Sequence, residues 1–196
     1  MQISQARPAN IEKEQTPMRK LLGGTTAALL ALTIAATPAF AANAGAKPGT
    51  DTIVQIVLAV DGEFDVLQAA VIEAGLAGAL SSTDDQYTVF APTDWAFVST
   101  FRSLLSDNSL TEADVIAFIE AGGVDTAFGP GALADILLFH VTNGRRTSNS
   151  VVKAPGYIML NGDRLSRSQL LDAGIAAVDI SASNGVIHVI NSVLLP

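Results

Sequence analysis

The sequence predicts an α+β fold with a mixed sheet, and three observations carry that expectation. In the first half, apolar residues recur at helical spacing. In the second, short apolar or alternating runs are set off by the turn dipeptides Asn161-Gly162 and Asn184-Gly185. At 196 residues the chain is long enough for one well-packed core and too short for two of ordinary size. Helices gathered before strands, with no internal repeat, is the order of an α+β domain rather than of alternating βα units.

Each element follows from its local chemistry. Thr52 and Gln55 have capping-box spacing, and Ile53, Ile56, Val57 and Val60 form a stripe, so a helix is expected to about Val60, broken by Asp61-Gly62. A second runs from about Phe64 to Ala74, with Phe64, Leu67, Ala70, Val71 and Ala74 on one face and Gly75 as its stop. Tyr87 to Ala91 reads as a strand ended by Pro92. Thr93 then caps a helix carrying Trp95, Val98 and Phe101. Thr111 and Asp114 cap a helix from Glu112 to about Ala121 that Gly122-Gly123 stops, and another spans about Ala132 to Phe139. Strands are expected at Val151-Val152, Tyr157 to Leu160, Ile175 to Ser181 and Val186 to Leu195. Between them Ser166 to Gly174 has a capping box of its own and reads as a helical turn.

Residues 1–41 read as a signal peptide. Met18-Arg19-Lys20 is basic, Leu21 to Ile34 is apolar, and Pro38-Ala39-Phe40-Ala41 ends in the small-x-small pattern that signal peptidase accepts. The apolar stretch is short for a membrane span and carries two glycines and three threonines, which argues against a retained anchor. Met18 is a plausible true start. Residues 42–49 form a short linker and 50–196 the domain, with no stable membrane anchor after processing and a secreted or periplasmic product. Past Ala41, seven Lys and Arg stand against seventeen Asp and Glu, a net charge of −10, which repels nucleic acid. There is no cysteine, so disulfides and thiolate metal sites are excluded.

Three segments, Tyr87-Thr88-Val89-Phe90-Ala91-Pro92-Thr93-Asp94, Leu137-Leu138-Phe139-His140-Val141, and Ser183-Asn184-Gly185 through Leu194-Leu195-Pro196, together resemble the paired homology boxes and central Tyr-His motif of the fasciclin domain. The resemblance covers about Thr50 to Pro196. It implies a fasciclin-type fold, a mixed β-sheet wedge packed with several short helices. It also implies an exported, non-catalytic module for adhesion to a cell-surface or matrix protein or polysaccharide. The chain departs from the family's pattern in three places. Phe139 stands where the motif has tyrosine, Asn191 where aspartate is usual, and Ser166 to Gly174 where members usually continue as a strand.

Catalysis finds little support in the residues. No G-x-S-x-G elbow is present, and two histidines about fifty residues apart, without H-E-x-x-H or a thiolate, give neither a hydrolytic triad nor a zinc motif. No metal or cofactor is expected. His140, at a helix C-terminus, suits a structural role or partner contact, and Asn143-Gly144-Arg145-Arg146 directly after it is the only basic cluster. His140, Asn143, Arg145 and Arg146 are therefore the candidate binding residues, with solvated turn charges as the alternative. Thr93, Asp94, His188 and Asn191 are motif residues expected to be structural, Thr93 as a cap and Asp94 as a first-turn acid. His188 is expected on the strand face shared with Val186 and Ile190, and Asn191 on the opposite face. A second functional expectation is carriage of an apolar small molecule such as a carotenoid or lipid, with Trp95, Phe97, Phe101, Phe118 and Phe128 as pocket walls.

Overall fold

The computed structural model describes residues 49–59 and 62–196. The expected signal peptide, the Met18 start, the linker up to residue 48 and the helix break at Asp61 lie outside the described residues.

Helix α1 (Ile53–Ala59) opens on the expected box: the Thr52 N–H donates to Gln55 Oε1 at 2.8 Å and the Gln55 N–H to Thr52 Oγ1 at 3.3 Å. α2 (Asp65–Glu73) and a short α3 (Ala77–Leu80) follow, then strand β1 (Tyr87–Pro92) and α4 (Asp94–Leu105). In α4 the Thr93 hydroxyl accepts from the Ala96 N–H, the N-cap bond its sequence position promises. α5 (Glu112–Glu120) carries the Thr111–Asp114 capping box. Gly122, with φ of 67°, ends it as expected, yet Gly123 starts a further helix, α6 (Gly123–Phe128), before α7 (Ala132–Leu138).

The second half is less strand-rich than its sequence suggests. β2 (Val141–Asn143) is followed by α8 (Ser148–Val151), a helical turn where Val151-Val152 suggested a strand. Two β-branched residues do not hold a strand there, because Val151 is drawn into the core and the backbone ahead of it is bound to Asp179. β3 (Gly156–Ile158) and β4 (Arg164–Ser166) form the hairpin around Asn161-Gly162. α9 (Arg167–Asp172) is the inserted helical turn, with its Ser166–Gln169 capping box present. β5 (Ile175–Ala182) and β6 (Gly185–Ile190) close the chain. The expected strand to Leu195 stops five residues early. The Asn191 N–H turns to the carbonyls of Ala173 and Gly174, at 3.1 and 2.9 Å, instead of continuing the ladder. Asn191 is therefore exposed beyond the strand and not on the strand face expected of it.

β2, β1, β6 and β5 form one mixed sheet in that order, with β1 and β6 parallel and the outer pairs antiparallel. Alternation along β1 and β6 assigns residues to two layers. Val89, Ala91, Ile187 and Val189 pack with the helices in the larger core, while Phe90 and Ile190 join Phe139, Met159, Leu165 and Leu170 in a smaller one under the hairpin and α9.

Asn184 ties these layers together. Fully buried, it accepts the Ile53 N–H at the start of α1 and donates its amide to the carbonyls of Leu80 and Ser82. Beside it Gly185 lies so close to β1 that a Cβ would meet the Tyr87 carbonyl oxygen at 2.2 Å. The turn itself is Ser183-Asn184, with Gly185 already opening β6 opposite Ala182, so Asn184 serves both as a turn residue and as a staple between sheet and helices.

Candidate functional site

The loop from Gly144 to Ser150 lies over the polar side of the sheet, and buried side chains fix its backbone. The Thr88 hydroxyl donates to the Gly144 carbonyl at 2.6 Å and accepts from the Arg146 N–H at 2.8 Å. From β6, His188 donates through Nε2 to the Arg146 carbonyl at 2.8 Å and accepts at Nδ1 from the Asp179 N–H at 3.3 Å. The ring also stacks on Phe90, with centroids 5.7 Å apart. Asp179 sits at the irregularity between Ala177 and Ile180 in β5, with a left-handed φ of 59°. That bulge aims its carboxylate at Ser148, whose N–H and hydroxyl both donate to it, at 2.8 and 2.5 Å. Burial lowers the pKa of His188, opposed by its bond to Arg146 and the Asp179 charge, so the ring is neutral at pH 7.

The four candidate binding residues have distinct surroundings. His140 is only 3% exposed; its Nδ1–H donates to the Ile136 carbonyl and its Nε2 accepts the Leu194 N–H, both at 2.8 Å. Burial pushes its pKa down to about 4. The ring joins the end of α7 to the C-terminal segment and has no free nitrogen for a partner. Arg145 is half-buried, its guanidinium donating to the Ala182 carbonyl at 2.9 Å and to Ser181 Oγ. Asn143 and Arg146 are exposed, and the Arg146 guanidinium lies 6.0 Å from the Tyr157 ring centroid. Thr147, Asn149 and Ser150 complete the exposed face. Sequence reasoning located this loop but missed Thr88, Ser148 and Asp179, which hold it. Their distance along the chain gives no local signal.

Asp94 works across elements. Its carboxylate accepts the Val66 and Asp65 N–H groups at 2.9 and 3.2 Å, supplying the α2 cap that Phe64 cannot. Burial raises its pKa in spite of those bonds. Asp65, Asp94 and Glu112 each bring an oxygen within 4.8 Å of the others. Ser148, Asp179 and His188 are likewise neighbours, but the serine hydroxyl bonds to the carboxylate and both imidazole nitrogens are engaged by backbone. No base is therefore aimed at that nucleophile.

Three of the expected aromatic walls converge. Phe97, Phe101 and Phe128 line an apolar cleft with Leu104, Val193 and Leu195. Phe118 packs edge-on against Phe101 behind it. Trp95 does not take part: it is 64% exposed, with the Arg102 guanidinium over its ring. A second apolar cleft opens between α1 and the sheet, lined by Ile53, Val57, Leu58, Leu80 and Val89 among others. Among the described residues, no helix is long and apolar enough to cross a membrane.

Residues 62–196 match the fasciclin domain family. The chain is 33% identical over 161 residues to protein sll1483 of Synechocystis, an alignment covering 76% of this chain and 78% of that one. It is also 33% identical over 147 residues to transforming growth factor-beta-induced protein ig-h3 of Sus scrofa, covering 71% of this chain but only 19% of that longer protein. Among solved structures, a FAS1 domain pair from the insect cell adhesion molecule fasciclin I superposes with a TM-score of 0.50 at 18% identity, over 76% of this chain and 52% of the other.

Proposed function

This chain belongs to the fasciclin domain family, a non-catalytic adhesion fold, and we propose that it is an exported module that binds a cell-surface or matrix partner through residues 143–150. The observation carrying this reading is the loop's construction. Its backbone is held by Thr88, His188 and Asp179 while Asn143, Arg146, Thr147 and Asn149 face solvent. A pre-ordered polar loop loses little conformational entropy on docking, which favours affinity without further contacts. Export rests on the leader pattern at 18–41 and makes the product secreted or periplasmic.

Deleting the gene in the host should reduce surface attachment, restored by the unaltered gene but not by one carrying Asn143→Ala, Arg146→Gln and Asn149→Ala. Unaltered attachment after deletion, with no protein or polysaccharide retained in a pull-down, would sink the reading.

A second reading, carriage of an apolar small molecule such as a lipid or carotenoid, rests on the convergence of Phe97, Phe101 and Phe128; the cleft they line has a volume of about 20 Å³, room for about one water, so carriage requires it to open. Protein purified from its own host without detergent should then yield a pigment or lipid to organic solvent, seen by absorbance and mass spectrometry. A clean extract removes this reading.

A further inference from the structure

Charge in this chain is sharply segregated. Of the seven Lys and Arg past Ala41, five (Arg145, Arg146, Lys153, Arg164 and Arg167) fall within residues 145–167, beside a single acid, Asp163, giving that stretch +4. The remainder past Ala41 has Lys47 and Arg102 against sixteen acids, or −14. Arg145 turns inward to β5, but Arg146, Lys153, Arg164 and Arg167 are all exposed.

The fold gathers these four around residues 153–157. The Arg146 guanidinium lies over Tyr157, whose hydroxyl donates to the Ser150 carbonyl. On the paired strand, the Arg164 side chain crosses Gly156, its Nε 3.1 Å from where a Cβ would stand. The Arg167 N–H donates to the Pro155 carbonyl, which sets the start of α9 beside the same segment. Among the described residues none of the four cations is in an ion pair. Of the nearby acids, Asp163 bonds the Asn161 side-chain amide and buried Asp179 bonds Ser148, while exposed Asp172 stands at the opposite end of α9 from Arg167. The hairpin register puts Ile158, 62% exposed, on the outer face with Arg164, and the Tyr157 ring on the core-facing side, with Arg146 against it.

We infer that residues 145–167 form a docking strip for a linear acidic polysaccharide. This rests on the adhesive reading above and names its ligand chemistry. Guanidinium groups grip carboxylate or sulfate in two-point hydrogen bonds, and exposed Ile158 beside Arg164 offers an apolar surface to the C–H face of a sugar. The geometry of charge selects this polyanion over others. A narrow sugar chain can follow the four exposed cations, +3 with Asp163, whereas a broad bilayer or a nucleic-acid duplex also meets the field of a remainder that carries −14.

The test measures binding of the mature chain to immobilised alginate and heparin at low ionic strength. Neutral dextran, anionic phospholipid vesicles and duplex DNA serve as comparators. Binding to alginate or heparin that salt abolishes is expected. It should weaken by about tenfold or more when Arg146, Lys153, Arg164 and Arg167 are all changed to Gln, and should survive Arg102→Gln. A double variant, Lys153→Gln with Arg167→Gln, leaves the Arg146–Tyr157 contact intact and should show an intermediate loss, guarding against a folding defect in the fourfold variant. No retention by either polymer, retention indifferent to these variants, or preference for vesicles or DNA overturns the inference. Attachment of host cells lost in the fourfold variant without polymer binding would overturn the ligand chemistry and leave the adhesive reading standing. Polymer binding with attachment unchanged by gene deletion would do the reverse.

Discussion

The two sides of the central sheet hold the domain together by different physics. Toward the helices, Val89, Ala91, Ile187 and Val189 contribute burial and dispersion alone. On the other side Phe90 and Ile190 share the surface with Thr88 and His188, which are fully buried and hydrogen-bonded to a loop that hardly touches the first core. The apolar side sets how stable the molecule is. The polar side sets where one surface loop stands, because hydrogen bonds are directional and a buried unpaired group is costly.

Mutations that separate stability from loop geometry sharpen this contrast. Ile187→Ala should cost about 4 kcal/mol by denaturant unfolding, through lost burial and a cavity, while amide exchange in residues 144–150 stays in step with the rest of the sheet. His188→Phe keeps an aromatic ring against Phe90 but leaves the Arg146 carbonyl and Asp179 N–H without partners. It should cost about 3 kcal/mol and selectively accelerate exchange at Arg146 and Ser148. Equal acceleration throughout the sheet in that variant would break the distinction.

Acid should act through the two buried histidines, His140 at the end of α7 and His188 on the polar side. Burial holds the folded-state pKa of His140 at about 4, against about 6.5 in an unfolded chain, and lowers that of His188 as well. Between those pH values the unfolded chain binds a proton that the folded one refuses. Stability is therefore full above about pH 6.5 and falls as pH drops toward 4, by on the order of 3 kcal/mol for His140. Asp94, whose pKa burial raises, opposes this: its ionised form is disfavoured in the fold, so its protonation offsets part of the loss. Melting curves across this range check the sign, and His140→Gln should flatten the slope. The smallest effect is expected from Thr93→Ala on the helical side, about 1 kcal/mol with no change in the loop, since it removes one N-cap bond.

Much of the helical half was legible because its signals are local. The Thr52, Thr93 and Thr111 caps, the Ser166–Gln169 box and the glycine stops each involve residues a few positions apart. The misread elements are those where a distant partner decides. Val151-Val152 has strand propensity yet lies in a helical turn because Asp179 holds Ser148, and Asn191 leaves the strand because the α9 end takes its N–H. His140 shows the same limit at the candidate site. Its place after a helix was readable, but its burial against Leu194 was not.

By itself, then, the sequence determined the α+β class, most helices and their caps, the two hairpin turns and the family. These follow from periodicity and short-range hydrogen bonding within a few residues. Tertiary structure alone decided that His140 and Arg145 are committed inward, that Asp94 caps a neighbouring helix rather than its own, and that Arg146, Arg164 and Arg167 are brought to the segment 155–157. The first two of those outcomes depend on which polar group meets which partner across 28 to 54 positions of chain, and that pairing exists only once the layers have packed.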